Sequence, residues 1–236
     1  MGRFSQSVFG RRRLPERTII YAGSYVPSRK ETVRSLFGKW KLVRGNWLPY
    51  AFARKGRREF LILFNVYGAS MTLEALHLIK DGGVRKVFFI GSMFAKRIPI
   101  GKLVLPTRVV DMAGIVSIDN PGHNIVRAES YSIKRLESRL EASRVPFEKA
   151  RIVSVPCVLH DIKPVTEFIA GNNQVEGVEM ETSTFTHFSK KLGMKSYAVL
   201  YVSDNERVDV ISTARTVRAA RKKALRNITR LAIEVL

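Results

Sequence analysis

Cysteine is almost missing from this chain of 236 residues. Cys157 stands alone, which excludes a disulfide framework and any metal site built from several thiolates. The four histidines, His77, His123, His160 and His187, show no metal-ligand spacing. Neither a P-loop nor a dinucleotide-binding glycine motif occurs. The expectation is a protein without metal and without cofactor. No apolar run approaches the roughly 20 residues of a membrane-spanning helix. Met1 to Arg13 is arginine-rich and lacks the apolar stretch of a signal peptide. A cytoplasmic protein with no membrane partner is therefore expected. The scarcity that matters most is acidic: 20 Asp and Glu face 41 Lys and Arg, a formal net charge of +21.

With 45 % hydrophobic residues the chain can build a sizeable core, so it is no disordered basic tail. The excess charge sits at the ends. Residues 1–60 carry 15 basic and 3 acidic side chains, residues 61–204 carry 18 and 14, and residues 205–236 carry 8 and 3. Such an excess repels itself in a compact state, and a polyanionic partner relieves it. From Ser212 to Leu236 the residues Val217, Ala220, Ala224, Ile228, Leu231 and Val235 recur every three or four positions, which predicts a helix with one apolar face. Ser212 or Thr213 would cap it. Arg215, Arg218, Lys222, Arg226 and Arg230 fall opposite, as a basic ridge, and Glu234 is the sole acid in the last 25 residues. At the other end come Arg3 and Arg11-Arg12-Arg13, then Lys39-Trp40-Lys41, Arg44 near Trp47, and Arg54-Lys55-Gly56-Arg57-Arg58. Arginine binds phosphate bidentately and aromatic rings stack on unpaired bases. These segments are candidate nucleic-acid contacts, with RNA, ribosomal RNA in particular, as the expected partner.

Between the ends, short apolar runs alternate with helical periodicity. Strands are predicted at 18–22, 60–64, 87–90, 103–105, 109–112, 151–155 and 197–202, with helices at 70–80, 133–143 and 182–192. This is an α/β chain with a mixed or mostly parallel sheet. Residues 1–17 read as a basic extension and 18–236 as one domain.

Three segments together resemble the nucleoside phosphorylase family, which includes uridine phosphorylases and nucleosidases. They are Gly177-Val178-Glu179-Met180-Glu181, Val202-Ser203-Asp204 at a strand end, and the stretch from Tyr67-Gly68-Ala69-Ser70 through Gly82-Gly83 to Gly91-Ser92. The resemblance implies a three-layer α/β fold with a mixed central sheet, and attack by phosphate or water on the anomeric carbon of a nucleoside. It implies that Met180 packs on the sugar and Glu181 accepts its hydroxyl hydrogens. Asp204 would protonate the leaving base, with Arg215 or Arg218 as helper. Arg29 and Ser92 would bind phosphate, and Arg44 would reach a neighbouring subunit's site, although the oligomeric state stays open.

The chain departs from that pattern at several positions. Phe89 stands where the family usually has a phosphate-binding arginine, and Met93-Phe94 replaces a small residue and glycine along the base pocket. Tyr25 takes the place of an early glycine, unless a small insertion puts Gly23 there. Val158 or Leu159, beside His160, replaces the aromatic that stacks on the base. Two readings follow. In one, a catalytically degenerate family member binds structured RNA through its basic ends. In the other, the chain cleaves the N-glycosidic bond of a nucleoside. A third is a module that binds a nucleoside without turnover.

Overall fold

A computed structural model describes residues 2–23, 27–157, 167, 171–172, 174–208 and 212–236. The apolar runs form strands at the centre of a mixed sheet. Along β1 (Arg17–Ala22), β4 (Arg58–Val66) and β5 (Lys86–Ala95) most residues are buried, in unbroken runs of five, as expected of strands covered on both faces. Their side chains alternate between two cores. Ile20, Leu61, Leu63, Val87 and Phe89 join one cluster, and Ile19, Phe60, Ile62, Phe88 and Ile90 join the other. Helices α3 (Gly68–Asp81) and α6 (Thr182–Lys191) cover the first face with α1 (Arg3–Phe9), while α2 (Pro27–Leu36), α5 (Ser130–Ala142) and α7 (Arg215–Val235) cover the second. The result is the expected three-layer arrangement.

Strands β1, β4 and β10 (Lys195–Asn205) run parallel to their neighbours β5 or β1. Next to β4 lies an antiparallel edge of β3 (Pro49–Lys55) and β2 (Lys39–Arg44). On the other side, β5 pairs with β10, β10 with β6 (Leu103–Asp111), β6 with β8 (Phe147–Ser154), β8 with β9 (Gly177–Glu179), and β9 again with β5. Five strands thus close a ring. One edge of β5 serves two partners: β1 over Lys86–Ile90 and β9 over Phe94–Ala95. Between them, at Gly91, Ser92 and Met93, the sheet parts. Such a divergence at the carboxyl ends of parallel strands opens a crevice.

Several local expectations change. The runs at 103–105 and 109–112 belong to one strand, β6, with a register shift between Pro106 and Arg108. Helix α7 starts at Arg215 behind the N-cap Ala214, which makes no side-chain cap, so neither Ser212 nor Thr213 has that role. The ridge itself forms: Arg215, Arg218, Lys222, Arg226 and Arg230 are exposed while Ala224, Ile228, Leu231 and Val235 are buried. The short β7 (Ile125–Arg127) and α4 (Ile115–Asp119) flank β6.

The first residues are folded onto the body. Asp81, at the end of α3, accepts hydrogen bonds from the amides of Gly2, Phe4 and Ser5 at 2.8, 3.1 and 3.2 Å. Phe9 is buried against Tyr50, edge to face at 5.1 Å between centroids.

Candidate functional site

Strand β9 runs into α6 through Met180 and Glu181, and this turn carries two buried carboxyl groups, those of Glu179 and Glu181. Burying a carboxylate is costly unless donors surround it, and Glu179 is surrounded. The amides of Glu181 and Thr182 donate to its Oε2 at 2.8 and 2.7 Å, the Thr182 hydroxyl donates to it at 2.7 Å, and Ser154 Oγ donates to Oε1. Ser154 in turn accepts from the amide of Ser183 at 2.9 Å, and the Ser183 hydroxyl donates to Asp111 at 2.7 Å. This chain of bonds ties β6, β8, β9 and α6 together beneath the site, and burial is the main force pushing the Glu179 carboxyl above the ordinary range.

Glu181 has fewer partners. Its Oε1 accepts from the amide of Gly68 at 2.7 Å. Burial first, then the charge of Glu179, push its carboxyl up to about 8, against hydrogen bonds from backbone and the attraction of Arg29. Gly68 holds φ 79° at the β4–α3 turn, two residues after Val66, and Asn65 nearby also takes a positive φ of 61°. That left-handed turn aims the amide into the site. Met180 lies beside Gly68, its Cε 3.9 Å from where a Cβ would stand. It packs with Val155 and Val178, and Phe94 packs against this cluster.

At the end of β1, Gly23 has φ 81°, and a side chain there would meet Arg29 Nη2 at 3.4 Å and Ser92 Oγ at 3.8 Å. Arg29 is buried and donates to the Gly23 carbonyl at 3.1 Å. Arg29, Gly23 and Ser92 therefore gather at the parting of the sheet. Phe89 does not join them. It is fully buried, stacked on Phe185 at 4.8 Å, so the position where the resemblance leads one to expect an arginine belongs to the core. Arg44 is exposed on the edge strand β2, and the same chain's site residues do not meet it.

Asp204 sits where β10 breaks its register: Val202 faces Met93, Asp204 faces Phe94, and Ser203 is the extra residue between. A bulge of this kind re-aims the next side chain. Ser203 Oγ donates to the Asp204 carboxylate and lies 3.2 Å from the Met93 carbonyl. The arginine that meets this bulge is Arg221, which donates to the carbonyls of Ser203 and Ser212 at 2.7 and 3.1 Å. Arg215 and Arg218 stay on the exposed ridge. Sequence reasoning missed Arg221 because it differs from the ridge arginines only in helical phase. The missed Gly68 amide and the Ser154–Ser183–Asp111 chain had no signal in the sequence beyond ordinary polar residues. Tyr25, Val158, Leu159 and His160 lie outside the described residues.

The candidate nucleic-acid contacts are mostly at the surface. Arg3, Arg11, Arg12, Arg13, Lys55 and Arg57 are exposed. Arg54 pairs with Glu59 at 2.6 Å, and Lys222 with Glu31 at 3.1 Å. Arg58 lies over the Phe60 ring at 5.8 Å. Trp47 and Trp40 both pack partly buried, Trp47 against the first core and Trp40 against the second. Among the described residues, no helix is long and apolar enough to cross a membrane, and no three His, Cys, Asp or Glu side chains form a group that could hold a metal ion.

Two buried glutamates thus sit at a strand–helix turn, and the charge of the buried Arg29 reaches Glu181. The family described as the phosphorylase superfamily matches residues 17–236, and the chain belongs to it. Comparison with curated protein sequences gave no match. Among solved structures, uridine phosphorylase from Vibrio fischeri ES114 superimposes with a TM-score of 0.78 at 18 % identity, over 92 % of this chain and 90 % of that one. The purine nucleoside phosphorylase of Toxoplasma gondii in complex with immucillin-H gives 0.77 at 14 %, over 91 % and 89 %. The 5'-methylthioadenosine/S-adenosyl homocysteine nucleosidase of Campylobacter jejuni gives 0.75 at 12 %, over 94 % and 98 %. At these identities the likeness is one of fold.

Proposed function

We propose that the chain binds a nucleoside through its ribose and cleaves the N-glycosidic bond, with water as the acceptor. The observation that carries this reading is the Glu181 carboxyl. It is buried, held by the Gly68 amide at 2.7 Å and backed by Met180 and Arg29. A carboxyl placed so takes the vicinal hydroxyls of a sugar, while Met180 offers the sugar an apolar wall. Asp204, set by the Ser203 bulge and the Arg221 clamp, gives its proton to the departing base. Water adds to the anomeric carbon as the bond to the base nitrogen breaks, and the proton that the water sheds returns to the Asp204 carboxylate, leaving free sugar and free base. Phe89 favours water over phosphate. A single buried arginine, Arg29, beside two buried glutamates leaves little positive potential for an inorganic dianion.

The test is to incubate the protein with purine and pyrimidine nucleosides, with and without phosphate, and to measure free base by chromatography. Release should be independent of phosphate and fall about 10²-fold or more in Asp204→Asn. No release from any nucleoside under either condition overturns the reading.

A second reading rests on a separate observation. The N-terminal cations Arg3, Arg11, Arg12, Arg13, Lys55 and Arg57 are all exposed, whereas on the α7 ridge Lys222 pairs with an acid, Glu31. This supports binding of RNA, ribosomal RNA included, whether or not the nucleoside site turns over. Its signature is an affinity that falls steeply with salt. Binding that is flat in salt, or absent, overturns it.

A further inference from the structure

The match to the phosphorylase superfamily begins at residue 17, so α1 and the strap behind it, Gly10 to Glu16, lie outside what the family shares. They are nevertheless pinned. The Leu14 amide donates to the Gly82 carbonyl at 2.9 Å, and its buried side chain sits so close to Gly82 that a Cβ there would come within 2.5 Å of Leu14 Cγ. Gly2 packs against the Arg12 carbonyl, 2.6 Å from where a Cβ would stand, and the Ser5 hydroxyl reaches that carbonyl at 3.1 Å. Arg11, Arg12 and Arg13 are thus exposed side chains on a fixed backbone.

A cleft opens on each side of this strap. One, of about 540 Å³, is lined by Arg12, Arg13, Lys80 and Arg85, with Gly82 and Gly83 in its floor. The other, of about 270 Å³, is lined by Arg11, Lys39, Lys41 and Arg54 together with Phe52, while the Trp40 ring turns to the opposite face of the sheet. Arg11 lies over the Phe52 ring, 3.9 Å from its centroid. Three carboxylates line the two clefts against eight cations, and each is engaged: Asp81 by the α1 amides, Glu16 by Arg17 at 3.6 Å, Glu59 by Arg54 at 2.6 Å. Phe4 is 70 % exposed on α1, close to the first cleft through the Asp81 contact. All of this lies where β1 and β5 begin, whereas Gly23 and Ser92 lie towards their other ends.

We propose that this face binds single-stranded nucleic acid, with phosphates in the Arg12–Arg13–Lys80–Arg85 cleft and a base on the Arg11 guanidinium where it lies over Phe52. The inference rests on the nucleic-acid reading above and places the contact on the strap rather than on the α7 ridge. Unpaired strands are the occupant that fits because a cationic cleft lies beside the Arg11–Phe52 stack, which matches alternating phosphate and base. A duplex keeps its bases from that stack. The strap backbone is held in advance, so little of its ordering cost falls on binding.

The experiment measures anisotropy of a short fluorescein-labelled oligouridylate with wild type, a strap variant (R11Q/R12Q/R13Q), a cleft variant (K80Q/R85Q) and a ridge variant (R218Q/R226Q/R230Q). The strap variant should bind about tenfold or more weakly, with its log–log salt slope lowered by about 2, near 0.7 for each phosphate that is no longer neutralised. The cleft variant should lose affinity likewise, which tests the site without touching the strap backbone. The ridge variant should stay within about threefold of wild type. Loss in the ridge variant with strap and cleft variants unchanged overturns this inference and leaves the RNA reading standing. No binding by wild type overturns both. Binding to phosphatidylserine vesicles in place of the oligonucleotide overturns it in favour of a membrane surface.

Discussion

Glu181→Gln should make the protein more stable at alkaline pH while impairing sugar binding. The folded environment lifts the Glu181 carboxyl from 4.5 to about 8. Each tenfold in proton affinity is worth about 1.4 kcal/mol, so ionising this side chain within the fold costs about 5 kcal/mol relative to ionising it in the unfolded chain. The sign is fixed by the proton balance. Between pH 4.5 and 8 the folded state holds a proton that the unfolded state has released, so stability falls as pH rises across that window and the loss is complete above it. Glutamine carries no charge to desolvate and still accepts from the Gly68 amide. It gives up the carboxylate's second acceptor, which serves the Met180 amide, at about 1–2 kcal/mol. The net expectation is about 3 kcal/mol in favour of Glu181→Gln at pH 9 and about 1–2 kcal/mol against it at pH 4.5. With a urea dependence of about 3 kcal/mol per molar, the midpoint at pH 9 should rise by about 1 M. Urea unfolding of wild type and variant at both pH values is the assay. Parallel curves, with the same difference at pH 4.5 and pH 9, would refute the buried, proton-holding carboxyl.

The same carboxyl predicts a pH dependence of binding. If ribose hydroxyls donate to the ionised form, nucleoside dissociation constants should fall about tenfold per pH unit below 8 and level off above it; titration calorimetry in buffers of different ionisation heat should show proton release, and a flat profile would count against the contact. Releasing the strap should follow from Gly82→Ala, because its new methyl collides with Leu14; trypsin should then cut at Arg11–Arg13 faster than in wild type, and equal rates would show that the anchor is elsewhere. Asp81 is held below the usual carboxylate range chiefly by the Gly2 and Ser5 amides. Its hold on α1 is therefore present at neutral pH and lost as acid protonates it, so trypsin sensitivity of the N-terminal segment should rise on acidification and be pH-independent in Asp81→Asn. Phe89→Ala should cost about 3–5 kcal/mol by emptying the stack with Phe185, read as a drop in melting temperature; a silent substitution would mean Phe89 is not a core residue.

The buried strands β1, β4, β5 and β10 are legible in the sequence because apolar side chains fill both faces, and α3, α6 and α7 because theirs recur at helical spacing. The edge strands β2 and β3 are not, since Lys39, Lys41, Arg44, Arg54 and Lys55 point away from the core and break the apolar pattern that marks a strand. Three residues of β9 leave no periodicity to detect, and α1 has only seven. In the site, Met180, Glu181 and Asp204 stand out through a familiar motif. What holds them does not: Ser154 and Asp111 lie 25 and 72 residues from the partners they bind, and a one-residue bulge at Ser203 depends on the neighbouring strand. Local sequence reports burial and turn chemistry; it is silent on which polar groups meet across the fold.

The five-strand ring is closed by its shortest member. β9 contributes two residue pairs to β5 and three to β8, and the glutamates Glu179 and Glu181 sit at or just beyond its end. A strand so short opens as a local unit, without waiting for the long β5–β10 and β6–β8 ladders to separate. Amides that depend on it, those of Lys96, Val155 and Glu176, should exchange with solvent deuterium sooner than the amides of β5 paired to β10. A nucleoside bridging Glu181 to the rest of the pocket would act as a clasp on that seam, so that ligand occupancy and ring closure rise together and the slowing of exchange at these three positions reports the ligand without any turnover.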